Sequence, residues 1–143
     1  MTLPAPEPGL VVRYSFLWSH EAEAGADEGS KDRPCAIVVA AALGETGDIT
    51  VLVAPITHAL PEEDDSIPIP PQAARALGLD GADHWIRVDE LNEFIWPGYD
   101  LRPIPGRADA YAYGLLPKAI YERLRAAIRS RRLHRRPQVQ KRD

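Results

Sequence analysis

The sequence has a single cysteine, Cys35, among its 143 residues. One cysteine can neither close an internal disulfide nor build a multi-cysteine metal site, and it suits a reducing compartment. Lying at the head of an apolar run, Cys35 reads as a small buried strand residue. No run reaches the ~18 to 20 apolar residues needed to span a bilayer. The opening Met1-Thr2-Leu3-Pro4 also lacks a basic segment followed by an apolar one. The expectation is a cytoplasmic protein with no membrane association. The histidines, His20, His58, His84 and His134, are few and scattered. No two of them have a metal-binding spacing and no Gly-rich phosphate loop is visible, so neither a metal nor a cofactor is expected.

What is present points to an ordinary folded chain. Hydrophobic residues make up 45% and charged ones 27%, which argues against global disorder, and the length suits one domain. Charge is spread unevenly. Beyond residue 128, Arg129, Arg131, Arg132, Arg135, Arg136, Lys141 and Arg142 face only Asp143, a net +6, so with a chain total of −4 the first 128 residues carry −10. The division expected is a barrel domain over 1–128 and a basic tail over 129–143. Such a tail can add phosphate contacts to nucleic-acid binding without choosing a sequence. It serves equally as a solvated helix end that keeps the protein soluble.

The order of elements points to a mainly β fold with α additions. After the Pro-rich lead, Leu10 to Trp18 reads as a first strand, and residues 19–32, without large apolar side chains, as a mobile surface loop. Cys35 to Ala42 and Ile49 to Ile56 are apolar runs separated by turn residues, which predicts a β-hairpin. Residues 59–66 form an acidic loop, including Glu62-Glu63-Asp64-Asp65. Ile67-Pro68-Ile69-Pro70 must then be extended, at a sheet edge. Pro71 to Leu77, closed by Gly78, is a short connecting helix. His84 to Leu91 and Phe94-Ile95-Trp96 are extended pieces, residues 101–114 are loop and edge strand, and Pro117 opens a helix with Ile120, Leu124 and Ile128 on one face.

Within the hairpin, a turn centred near Glu45 pairs residues whose numbers sum to 90, which places Arg33 opposite Thr57. Directly opposed antiparallel residues share a face, with Cβ atoms ~4.5 to 5.5 Å apart. Both lie at strand ends, where Pro34 and Pro55 interrupt pairing and two loops flank the site. A guanidinium offers a planar fork of donors for phosphate oxygens, and a threonine hydroxyl can donate or accept. The pair suits a phosphodiester. Transesterification by an RNA 2′-hydroxyl is the economical chemistry, with Arg33 stabilising charge on the phosphorane-like transition state. An Arg before a strand also serves as a surface ion-pair partner, here for Asp32, and Thr is a strand former in its own right. A one-residue slip in register would send the two side chains to opposite faces.

The segment Lys31-Asp32-Arg33-Pro34 leading into an apolar strand, followed by Val53-Ala54-Pro55-Ile56-Thr57-His58, resembles the PemK/MazF family of type II toxin-antitoxin toxins. The likeness extends from Pro8-Gly9 to the stretch from Gly114 to Ile128. It implies an SH3-like small β-barrel with a short connecting helix and a C-terminal helix, usually a homodimer. It further implies metal-independent, sequence-selective cleavage of single-stranded RNA, with Arg33 and Thr57 in the active site and an acidic antitoxin covering the groove. The region from His84 to Arg107 departs from the family's typical middle segment, and the body is acidic where many of these toxins are basic.

Further residues have two readings each. His58, next to Thr57, could assist as a general acid or base from an irregular strand end, although a regular strand turns it away. Lys31, Asp32, Pro34 and Arg87 are candidates for RNA contact that solvated positions explain as well. His20 and His84 read as surface or loop residues. Trp85, Trp96, Tyr99, Tyr111 and Tyr113 could stack on splayed bases, with packing the better account of the tryptophans. The alternative functions are a non-catalytic barrel module that binds a protein or nucleic acid, and a gyrase-directed toxin of the same fold.

Overall fold

The apolar runs on either side of residues 43–48 form the predicted hairpin, β2 (Asp32–Ala42) and β3 (Ile49–Thr57). In this computed structural model, residues 3–26, 29, 31–42, 44–58, 66–107, 110–134 and 136–142 are described. Around the hairpin lie β1 (Leu10–Ser15), α1 (Ser19–Glu23), β4 (Ser66–Ile69), α2 (Pro71–Ala76) and β5 (His84–Arg87). β6 (Glu90–Ile95), β7 (Ala112–Leu115), α3 (Lys118–His134) and β8 (Gln138–Lys141) complete the order. The main path of the sheet runs β4-β5-β3-β2-β1-β7, with β6 beside the first half of β3 and β8 beside β6. All pairs are antiparallel except β6 with β8. The result is a mainly β, small curled barrel with helical additions. No helix among the described residues is long and apolar enough to cross a membrane.

Alternation on β2 and β3 feeds two cores, one on each side of the sheet. Ala36, Val38, Ala54 and Ile56 pack with Ile67, Ile69, Leu77, Ile86 and the α3 stripe Ile120, Leu124 and Ile128. Cys35, Ile37, Val51 and Val53 pack with Val12, Tyr14, Phe16 and Phe94 on the other side. Burying each large apolar side chain contributes roughly 1.5–3 kcal/mol, which is why both faces of the hairpin are fixed. Cys35 is fully buried, and burial pushes its thiol far above the ordinary range, so it behaves as a small apolar residue.

The register of the hairpin changes along its length. Near the turn, partner numbers sum to 91 (Val39↔Leu52, Ala42↔Ile49); beyond the irregularity they sum to 90 (Ile37↔Val53, Cys35↔Pro55). The extra residue is Val38, on β2. A bulge of this kind exposes carbonyls that the ladder no longer uses. Here the Tyr121 hydroxyl of α3 donates to the Val38 carbonyl at 2.8 Å, and the Gly9 N–H donates to the Ile37 carbonyl at 2.8 Å. Gly9 has φ +92, with the Tyr121 ring 3.7 Å from where a Cβ would stand, so a side chain there would force a disfavoured backbone.

Three segments differ from the sequence expectations. Residues 19–32 are not all loop, because α1 occupies Ser19–Glu23. Its start is held by the Glu21 carboxylate accepting from the Trp18 N–H at 3.1 Å, and by the distant Glu90 accepting from the Ser19 N–H at 2.6 Å. The extended region after His84 is two strands with a bend at Val88-Asp89, so that β5 and β6 meet different parts of β3. From residue 129, read as a basic tail, α3 continues to His134 and β8 then lies parallel to β6. β8 is anchored by Arg142, whose side chain is 3% exposed and reaches Asp100 Oδ2 at 2.9 Å, Asn92 Oδ1 at 2.8 Å and the Ser15 carbonyl at 2.9 Å. The acidic loop expected over 59–66 lies, apart from Ser66, outside the described residues.

Removing Arg142 takes the nearer of two guanidinium groups from the Asp100 carboxylate, which keeps Arg102 at 3.7 Å, and takes a donor from the Ser15 carbonyl. Arg142→Ala is therefore expected to lower unfolding stability by about 3 kcal/mol. Tyr121→Phe, which deletes only the hydroxyl on the bulge carbonyl, should cost about 1 kcal/mol. Urea unfolding of both variants beside the parent measures each figure.

Candidate functional site

Pro34 and Pro55 have no N–H, and the β2–β3 ladder ends at Cys35↔Pro55. One step further out, in the same register, stand Arg33 and Thr57, on the face of the Cys35–Pro55 pair. β2 at this point is held from its other edge by β1 (Tyr14↔Arg33, Arg13↔Pro34), and the end of β3 by β5 (Thr57↔Trp85). The two strand ends thus diverge while each keeps a partner. A cleft of about 670 Å³ opens between them.

Seven residues singled out in the sequence line this cleft: Lys31, Asp32, Arg33, Pro34, Thr57, His58 and Arg87. Thr57 is buried, and its Oγ1 has no hydrogen-bond partner among the described residues. Arg33 Nε is likewise buried and without one. Asp32 is not the ion-pair partner of Arg33: its carboxylate lies 3.7 Å from Arg102 Nε. A buried polar atom without a partner costs stability unless something else satisfies it. Both atoms belong to residues that line one cleft.

Trp18 organises the cations. The Arg33 guanidinium lies 5.2 Å from the Trp18 ring centroid and that of Arg87 5.5 Å, so one indole attracts both. Arg87 is further tied to Asp89, Nε to Oδ1 at 2.8 Å and Nη2 to Oδ2 at 2.5 Å. Trp18 itself is positioned from below. The buried Asn92 accepts from the Leu17 N–H at 2.9 Å and donates from Nδ2 to the Leu17 carbonyl at 2.8 Å, fixing the residue before Trp18. The Arg142 contact to Asn92 Oδ1 joins the C-terminus to this chain of contacts.

The far wall holds His58 and His84, whose rings are 5.9 Å apart and edge to face. His84 is 6% exposed and sits within β5, which corrects its reading as a surface or loop residue. Its Nε2 lies 3.2 Å from the Asp80 carbonyl and 3.1 Å from Asp80 Oδ1. Asp80 has its carboxyl held below the usual range, first by the Ala82 N–H donated to Oδ1 and then by the charges of His84 and His58. On the remaining side, Arg13 donates to the Tyr113 hydroxyl at 3.0 Å and to the Asp32 carbonyl at 3.4 Å.

Sequence reasoning missed Trp18, Arg13, Asp80 and His84. Arg13 could have been found, since its alternation on the first strand places it opposite Pro34 once that pairing is known. Of the five aromatic residues weighed for stacking, Tyr113 reaches the cleft, while Trp96 packs on the second core and Tyr99 is 83% exposed away from it. Among the described residues, four cations, Arg13, Lys31, Arg33 and Arg87, line the cleft against two carboxylates, Asp32 and Asp80. This described lining is basic on an acidic chain. Among the described residues no group of three or more His, Cys, Asp or Glu is placed to hold a metal ion.

The small curled barrel thus carries, at the open end of its central hairpin, a cleft whose described lining is rich in cations. The family model described as PemK-like, MazF-like toxin of type II toxin-antitoxin system matches residues 13–94, which cover β1 to β6 and most of the cleft. The chain belongs to this family. Comparison with curated proteins and with solved structures gives no match.

Because Thr57 Oγ1 makes no internal hydrogen bond, Thr57→Val replaces the hydroxyl by a methyl of the same shape without stranding a partner. Thermal unfolding of this variant is expected to match or exceed the parent. A loss of more than about 1 kcal/mol would show that the hydroxyl has a structural partner after all.

Proposed function

We propose that the chain is a metal-independent, sequence-selective endoribonuclease toxin that cleaves single-stranded RNA by attack of the 2′-hydroxyl on the adjacent phosphate. The observation that carries this reading is the convergence in one cleft of Arg33 and Thr57, each with a buried polar atom unsatisfied among the described residues. A bridging phosphate would supply acceptors to both. The 2′-oxygen bonds to phosphorus as the bond from phosphorus to the 5′-oxygen breaks. The 2′ proton leaves to solvent or a base, and the 5′-oxygen takes one up. The products are a 2′,3′-cyclic phosphate and a 5′-hydroxyl.

Arg33 neutralises the charge that builds on the equatorial oxygens, and its position on Trp18 keeps the guanidinium oriented before substrate arrives. Thr57 fixes a non-bridging oxygen or the attacking hydroxyl. Lys31, Arg87 and Arg13 hold flanking phosphates, and Asp32 and Pro34 shape the wall beside them. The same cations suit an acidic antitoxin segment, which would compete with RNA for the cleft, and the family reading includes a homodimer.

The test is incubation of the antitoxin-free protein with mixed-sequence RNA in EDTA, with fragment ends identified. Discrete cuts ending in 2′,3′-cyclic phosphate are expected. Arg33→Ala should lower kcat by ~10²–10³-fold, and Thr57→Val by on the order of tenfold, the worth of one hydrogen bond in the transition state. Uncut RNA across varied substrates would instead favour a barrel that uses the cleft only to bind.

A further inference from the structure

Trp18 carries two cleft cations on its ring, so whatever holds Trp18 bears on the site. The backbone on either side of it is gripped from β6. Asn92, fully buried, accepts the Leu17 N–H at 2.9 Å through Oδ1 and donates from Nδ2 to the Leu17 carbonyl at 2.8 Å, while Glu90 accepts the Ser19 N–H at 2.6 Å. The Asn92 amide has further partners, the Leu91 carbonyl for Nδ2 at 3.0 Å and Arg142 Nη1 for Oδ1 at 2.8 Å. A guanidinium only donates, so the Arg142 contact fixes which end of the amide is oxygen. That is the orientation which matches both backbone groups of Leu17.

Arg142 is itself locked. Its side chain is 3% exposed, Nη1 also donates to the Ser15 carbonyl at 2.9 Å, and Nη2 meets Asp100 Oδ2 at 2.9 Å. The guanidinium lies 5.5 Å from the Tyr14 ring centroid. Its backbone N–H donates to the Glu93 carbonyl at 2.7 Å, and β8 pairs with the Glu90 to Glu93 segment that grips Trp18. Buried ionic clusters contribute little net stability compared with apolar packing, whereas they fix geometry through directional hydrogen bonds. Asp100 and Arg142 lie beyond residues 13–94, so the family match does not carry this anchor.

We propose that Arg142 is a positioning residue: seated by β8, it orients Asn92 and so holds Trp18 in the pose that presents Arg33 to the scissile phosphate. Its effect on rate rests on the ribonuclease reading above; its effect on the pose of Arg33 stands apart from that reading. A cation already oriented where charge will build needs no reorganisation in the transition state. When Trp18 loosens, the guanidinium spreads over poses that miss the phosphate. Arg13, tied to the Tyr113 hydroxyl and the Asp32 carbonyl, keeps its hold on a flanking phosphate, so the loss falls on kcat more than on KM.

The test is a cycle of Arg142→Gln and Trp18→Leu, with rates at saturating RNA read at a temperature where thermal unfolding shows every variant folded. Trp18→Leu is expected to lower kcat roughly fivefold and Arg142→Gln about threefold, the worth of all or part of one cation–π contact. The double variant should be no slower than Trp18→Leu alone, because Arg142 acts through Trp18. A kcat for folded Arg142→Gln equal to the parent's overturns the proposal, as does a threefold loss that recurs in the Trp18→Leu background.

A second readout needs no RNA. The Arg33 Nε–H is buried and lies near the indole, whose ring current displaces its resonance. This signal, assigned with Arg33→Lys, should move in Arg142→Gln toward its position in Trp18→Leu; an unmoved signal overturns the proposal. If the parent protein cuts no RNA, the ribonuclease reading fails, while the resonance still reports whether Arg142 sets the pose of Arg33. Where Arg142→Gln fails to fold, Arg142→Lys keeps a cation beside Asp100 but gives up the fork that also reaches Asn92 and Ser15. The same shift and the same cycle are expected of it.

Discussion

The hydrogen bond from the Tyr121 hydroxyl to the Val38 carbonyl holds the one irregularity on which the geometry of the cleft depends. β2 carries an extra residue at that point, so the hairpin changes register between its turn and its open end. Were the turn-side register continued without the bulge, Arg33 would be offset by one residue from Thr57 and the two side chains would point to opposite faces. A helix laid across the sheet thus fixes which residues meet at a strand end several residues away. α3 supplies both the apolar stripe that closes one core and the polar contact that settles the register.

Charge separation is the second organising constraint. The chain is acidic overall, yet the described wall of the cleft is dominated by guanidinium and ammonium groups. Trp18 allows two of these cations to sit close together by offering a π face to each, and Asp89 offsets part of the charge of Arg87. Arg33 has no carboxylate within ion-pairing distance among the described residues, and the Trp18 ring is the group its guanidinium rests on. Such a layout concentrates positive potential where a polyanion would lie, without making the whole surface basic.

The hairpin, the β4 edge, both longer helices and the Arg33–Thr57 juxtaposition were legible because each rests on local pattern: apolar runs, prolines at fixed places, a helical stripe. The pairing sum of 90 was read from a turn centred on Glu45, whereas the ladder near the turn sums to 91 and reaches 90 only past the bulge. The sum of 90 holds at the open end of the ladder for a reason the sequence did not display. α1 was illegible because it buries no residue and is capped from Glu90, far along the chain. β8 was hidden by its polar composition, Gln138-Val139-Gln140-Lys141, since its anchor is a neighbouring arginine and not an apolar face. The extended piece that opens at His84 was legible but the burial of its first residue was not, since the pairing of β5 with β4 and β3 is what buries it.

The contacts of Arg142 also carry a consequence in time. A ribosome delivers Ser15, Asn92 and Asp100 well before it delivers Arg142. Until that residue emerges, the Asp100 carboxylate lacks this guanidinium, and Asn92 steadies the backbone ahead of Trp18 without support from the far end. Anchoring of β8 therefore follows the making of all the strands it steadies, and the Trp18 platform gains its last support late in synthesis.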